Sequence, residues 1–117
     1  MKIKQEVQIP EVKIQTEETK NLIKKVLIGP TTGSNNIIMR YFKVLPNGYT
    51  PRHKHNYEHL VKIERGKGIA INEDGNEYEV SLGQSIFVEP NKKHQFKNPF
   101  SEPFEFICII PNPERDK

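Results

Sequence analysis

The chain has 117 residues, 34% of them hydrophobic and 28% charged, with a formal charge of +3. That length bounds one domain, and nine Pro and seven Gly spread along it exclude a long helical bundle. Lys and Glu are mixed throughout rather than gathered into a basic stripe, so no nucleic-acid partner is expected.

Residues 1–20 alternate loosely (Val7, Ile9, Val12, Ile14) and Pro10 interrupts them, which predicts an edge strand or extended arm. Thr16–Lys25 reads as a short Thr-capped helix or, in preference, as loop leading into a strand over Lys24–Ile28, and Gly29–Asn36 is a loop. Ile37–Leu45 is rich in β-branched and aromatic residues and reads as a strand, closed by a turn at Pro46-Asn47-Gly48. Further strands are expected at Glu58–Arg65, Ile69–Asn72, Glu77–Leu82, Ser85–Glu89, His94–Lys97 and Phe104–Ile110. Asp74-Gly75 marks a hairpin. Many short strands separated by turns mean an all-β sandwich or barrel. The expected divisions are an N-terminal arm or strand over 1–23, open to exchange with a second subunit, a barrel over 24–111, and a polar tail over 112–117.

The one cysteine, Cys108, excludes an intrachain disulfide and sits among isoleucines and Phe106, where a buried thiol is expected. The longest apolar run, Phe106–Ile110, cannot span a membrane, and MKIKQEVQIPEV has no signal-peptide core. The expected location is the cytoplasm, with no membrane partner.

Three of the four histidines fall within seven residues, His53, His55 and His59, and the fourth is His94. Imidazole suits borderline divalent metals, and a site needs three or four convergent donors. Strand parity places His53 and His55 on one face if that segment is extended. In Glu58–Arg65 the odd positions, His59, Val61 and Ile63, form the apolar face, so His59 points inward and Glu58 outward. His94 shares its face with Phe96. All four imidazoles are therefore placed to meet inside one barrel as metal ligands.

These residues resemble the two motifs of the cupin superfamily. The first, G(X)5HXH(X)3-4E(X)6G, is matched by Gly48, His53, His55 and Gly66, with the first spacer one residue short and His59 in the slot of the family's glutamate. The second, G(X)5PXG(X)2H(X)3N, is matched by Gly83, His94 and Asn98, with the proline displaced to Pro90 and Asn91 in place of the turn glycine. Asparagine tolerates the left-handed backbone that the glycine position needs. The resemblance implies a single-domain cupin barrel (double-stranded β-helix, jelly-roll type), similar to small microbial members with a four-histidine metal site. It implies a divalent ion, Mn, Fe, Ni or Zn, held by His53, His55, His59 and His94. It also implies a homodimer, because cupin N-terminal strands often pair with a second subunit. With four neutral ligands the ion keeps its full charge, favouring an oxygen-rich or anionic ligand.

The functional expectation is a metal-dependent enzyme, a dioxygenase, decarboxylase or isomerase, acting on a small oxygen-rich organic acid, diketone or sugar acid through direct coordination to the metal. The alternative is a non-catalytic small-molecule-binding or sensor module with the same site. No catalytic residue is assigned. Tyr57, Arg40 and Phe96 are candidates for the substrate pocket. Arg40 is a carboxylate clamp if it faces inward and a surface charge if it faces outward, and the alternation in Ile37–Leu45 leaves both open. Phe87, Phe96, Phe104 and Phe106 are expected in the core.

Overall fold

The protein is described by a computed structural model covering residues 1–115; the last two residues of the expected polar tail, 116 and 117, lie outside the described residues. Nine strands form: β1 (Val12–Ile14), β2 (Lys20–Ile28), β3 (Ile37–Tyr49), β4 (His59–Arg65), β5 (Lys67–Ile71), β6 (Glu77–Ser81), β7 (Ser85–Val88), β8 (Gln95–Lys97) and β9 (Phe104–Pro111). Among the described residues the only helical turns are two short 3-10 segments, Glu6–Gln8 and Pro30–Thr32, so no helix is long and apolar enough to cross a membrane.

The strands make one antiparallel sheet in the order β6-β5-β8-β3-β9-β4-β7, with β2 on the other edge of β3 and β1 beyond β2. The sheet curls so that one face closes on itself as the core. The alternation of the sequence sets that face. His59, Val61 and Ile63 of β4 are buried while Leu60, Lys62 and Glu64 are exposed, and the even positions of β9 (Phe104, Phe106, Cys108, Ile110) are all buried. Phe106 is the hub, with Phe42, Phe96 and Phe104 rings centred 5.4, 4.9 and 5.3 Å from its own. These spacings suit offset and tilted aromatic packing.

Three expectations change. β2 begins at Lys20, four residues before the predicted start, which brings Leu22 and Ile23 into the sheet. Pro46-Asn47-Gly48 does not end the strand: β3 bends there and continues to Tyr49, with Asn47 in the left-handed region at φ 68. Before the bend β3 pairs with β9; after it, Tyr49 pairs with Lys97 of β8. Gly48 is required because a Cβ would lie 2.6 Å from the Lys20 carbonyl oxygen and 2.8 Å from that of Leu45. Phe87 is not in the core but 58% exposed, because β7 turns Ile86 and Val88 inward and leaves Phe87 opposite the exposed Leu60. The polar tail starts from an anchored residue, since Asn112 is buried and bonds the carbonyls of Asn36 (2.8 Å) and Asn35 (2.9 Å).

The bend in β3 is held by Asn98, which is 1% exposed. Its side-chain amide donates to the carbonyls of Val44 (2.8 Å) and Glu102 (2.7 Å), and its oxygen accepts from the Phe100 N–H at 2.9 Å. Its backbone carbonyl accepts from the Asn47 N–H at 2.7 Å, and its N–H donates to Gly48 at 2.9 Å. Removing the side chain strands several buried polar groups, each costing about 1–3 kcal/mol when unpaired. Asn98→Ala is therefore expected to lower unfolding free energy by about 2 kcal/mol or more in a urea titration. A loss below about 0.5 kcal/mol would mean that the bend holds without it.

Candidate functional site

The histidines arrive from two separate stretches of chain. His53 and His55 lie between β3 and β4, His59 opens β4, and His94 immediately precedes β8. Main-chain bonds bring the stretches together. His53 and His94 form an isolated antiparallel bridge, with the His53 N–H on the His94 carbonyl at 3.2 Å and the His94 N–H on the His53 carbonyl at 2.9 Å. Thr50 continues the junction: its N–H donates to the Phe96 carbonyl and its hydroxyl accepts from the Phe96 N–H, both at 2.9 Å. On the far side, the Asn91 N–H reaches the His55 carbonyl at 2.6 Å. Asn91 sits at φ 63, the left-handed conformation expected for the residue replacing the turn glycine.

The four rings form a closed group. Centroids are 4.4 Å apart for His53–His55, 5.4 Å for His55–His59, 4.7 Å for His59–His94 and 5.2 Å for His53–His94. They line one end of a cavity of about 200 Å³, together with Arg40, Lys24 and a wall that includes Phe42, Phe96 and Phe106. No Asp or Glu among the described residues lines it.

Burial sets the protonation state of the rings. Desolvation, followed by the charges of the other histidines and Arg40, pushes His53 down to about 4 and His59 down to about 3. His55 and His94 are also lowered, chiefly by burial. All four rings are thus neutral at pH 7 and offer lone pairs. The His94 Nδ1 lies 3.0 Å from the Lys92 carbonyl oxygen, so Nδ1 carries the proton and Nε2 is left as the donor atom. The Nδ1 of His59 is buried without a hydrogen-bond partner.

The residues fit a divalent ion by chemistry: neutral imidazoles, ring spacings compatible with a shared centre, and one orphaned ring nitrogen. Yet among the described residues no group of three or more His, Cys, Asp or Glu side chains has its donor atoms already set to hold an ion. Three of the neighbouring ring contacts are edge to face, and the fourth, His55–His59, is tilted at 42°.

Of the expected pocket residues, Arg40 and Phe96 line the cavity. Arg40 faces inward, stacked 5.0 Å over the Phe42 ring, with Nη2 3.0 Å from the Cys108 sulfur. Tyr57 is not in the lining but stacks on His55, ring centres 4.8 Å apart and nearly parallel at 14°. Arg52 points away, bonding the carbonyls of Asn72 and Glu73. Lys24, Phe42 and Thr50 were not anticipated. Lys24 lies within the strand expected over Lys24–Ile28, but basic and apolar residues occupy both parities there and leave its face unassigned, and Thr50 carried no local signal.

The profile of the Cupin_2 family (cupin domain) matches residues 40–110. A 1-methylthio-D-xylulose 5-phosphate methylsulfurylase of Rhodospirillum rubrum is 34% identical over 80 residues, 68% of this chain and 49% of the relative. The chain thus spans about half the length of that curated relative. The polyketide cyclase RemF of Streptomyces resistomycificus superposes with TM-score 0.90 at 26% identity, over 96% of this chain and 80% of the cyclase. A predicted oxalate decarboxylase of Thermotoga maritima superposes at 0.84 with 18% identity, over 94% and 98%, which is a likeness of fold alone.

The depressed histidines have a consequence for stability. The unfolded chain takes up protons on its histidines near 6.5, whereas the folded rings stay neutral to lower pH. Between these values the unfolded state binds more protons, so stability falls as pH falls. Metal-free protein is expected to lose stability steadily from pH 7 to pH 5 in denaturant titrations, a window above most carboxylate titration. An unchanged midpoint over that window would contradict the burial of the rings.

Proposed function

The chain belongs to the cupin domain family, and on that premise we propose that it is a metal-dependent enzyme for a small oxygen-rich organic substrate, an acid, diketone or sugar acid. His53, His55, His59 and His94 hold one divalent ion, Mn, Fe, Ni or Zn. The observation that carries this reading is the buried, partnerless Nδ1 of His59 within a closed group of four imidazoles. A buried polar atom without a partner costs about 1–3 kcal/mol, and nothing in the surrounding protein relieves it. Support for catalysis comes from the matches: a methylsulfurylase is similar in sequence and a polyketide cyclase is similar in structure, and both are enzymes by name.

When bound, the ion supplies a Lewis-acid position for a substrate oxygen. The chain's own groups do the rest. The Lys92 carbonyl holds the His94 tautomer, Tyr57 braces His55, and the phenylalanine wall keeps bulk water from one side of the cavity.

Elemental analysis of the full chain is expected to find close to one divalent ion per chain. His59→Ala should weaken uptake of that ion about tenfold or more while the far-ultraviolet spectrum is kept. A wild-type chain that carries no metal and takes none up on titration would overturn the site. If the loaded chain binds small acids or diketones but converts none of them, the enzyme reading gives way to a binding module.

A homodimer belongs to the same proposal. Among the described residues β1 pairs only with β2, so its outer edge is open to a second chain. Light scattering at micromolar concentration should return twice the chain mass, and a monomer mass would refute the pairing.

A further inference from the structure

We propose that Arg40 determines specificity by binding the acidic group of the ligand, and that the ligand is a small carboxylate with an apolar body. The proposal deepens the reading of the histidine group as the reactive centre and rests on it.

Three observations converge. The first is the guanidinium's lack of a proper partner. Arg40 Nε is buried with no hydrogen bond, and Nη2 meets only the Cys108 sulfur at 3.0 Å. A thiol is a weak acceptor, and no ion pair reaches Arg40 among the described residues. Charges taken out of water are ordinarily paired. The second is the charge of the cavity. Lys24 shares it, also without an ion pair, and its ammonium is held below its ordinary range first by burial and then by Arg40. Two cations and no carboxylate line the space, so the missing negative charge must come from the ligand. The third is the wall. Phe42 lies 5.0 Å beneath the guanidinium and fixes its plane, and Phe96 and Phe106 continue the apolar surface towards the histidines. A carboxylate on the exposed edge of Arg40 therefore has its body against aromatic rings and its other end facing the imidazoles.

A purely structural Arg40, stacked on Phe42 and capping Cys108, makes a different prediction, because it would not distinguish a charged ligand from its neutral isostere. The test is calorimetric titration of the full chain with benzoate and with benzamide, alongside a separate Zn²⁺ titration. Wild type should bind benzoate about tenfold or more tighter than benzamide, and Arg40→Met should bring the two within about twofold. Zinc uptake should survive in Arg40→Met. His59→Ala should do the reverse, weakening zinc uptake while keeping the benzoate preference, so the metal reading and the Arg40 reading fail separately. Should Arg40→Met lose its near-ultraviolet signature, Arg40→Lys decides, since it keeps the charge but not the fork and should lower the preference about threefold or more. Equal binding of benzoate and benzamide by wild type, or a preference unchanged in the folded variants, overturns the proposal.

Discussion

The site depends on a short run of main-chain bonds between two stretches of chain that are distant in sequence. Thr50 with Phe96, His53 with His94, and His55 with Asn91 form three successive ties. Each tie is ordinary, a net contribution of about 1 kcal/mol. Together they fix the register of the first histidine pair against the second motif. Register in a sheet is unforgiving, because a slip of one residue sends every side chain to the other face. A slip at this junction would turn His53 and His55 outward and leave His59 and His94 alone in the core. Asn98 and Gly48 serve the same end from the other side of the β3 bend: they let β3 leave β9 and reach β8, which delivers His94 to its partners.

This arrangement works against stability. Desolvation pushes all four imidazoles below their ordinary range, and Arg40 beside them adds a like charge to each protonated form. The remainder of the sheet offsets that. Phe104, Ile63 and Val44 are fully buried, and the four-phenylalanine cluster around Phe106 lies directly below the site. The outer face carries its own polar anchor: Tyr41 donates to Glu105 at 2.9 Å, Arg65 meets the same carboxylate at 3.1 Å, and Glu6 reaches Lys25 at 3.6 Å. That last contact lays the N-terminal turn over β2. β1 then brings Ile14 to the cavity edge, so the arm helps to build the pocket wall.

Most of the fold was legible because alternation in a half-buried sheet leaves a period-two record. The inward placement of His59 and His94 followed from their apolar neighbours at i+2, and the left-handed Asn91 from its motif position. What failed did so for local reasons. Pro46-Asn47-Gly48 has the composition of a turn, yet the chain only bends there, since Asn98 supplies bonds from fifty residues away that no local pattern reveals. Phe87 has the composition of core, but β7 is four residues long and its inward positions were already taken by Ile86 and Val88. Arg40 was undecided because Ile37–Leu45 has bulky residues at both parities; pairing with Cys108 across β9 settles its face.

The substitution of histidine for the family's usual glutamate ligand acquires its meaning from Arg40 and Lys24. A carboxylate at position 59 would stand in the field of Arg40, and the cavity would carry less uncompensated positive charge without any ligand. With His59 in that place the neutral imidazoles leave the cationic pair uncompensated. An ion bound to the histidines would add further positive charge to the same small volume. Such a pocket stabilises a negative ligand in proportion to how little else satisfies it, since a poorly solvated guanidinium gains more from a carboxylate than a hydrated one does. The uncompensated positive charge lining the cavity and the proposed preference for an anion are thus two expressions of one choice of side chains.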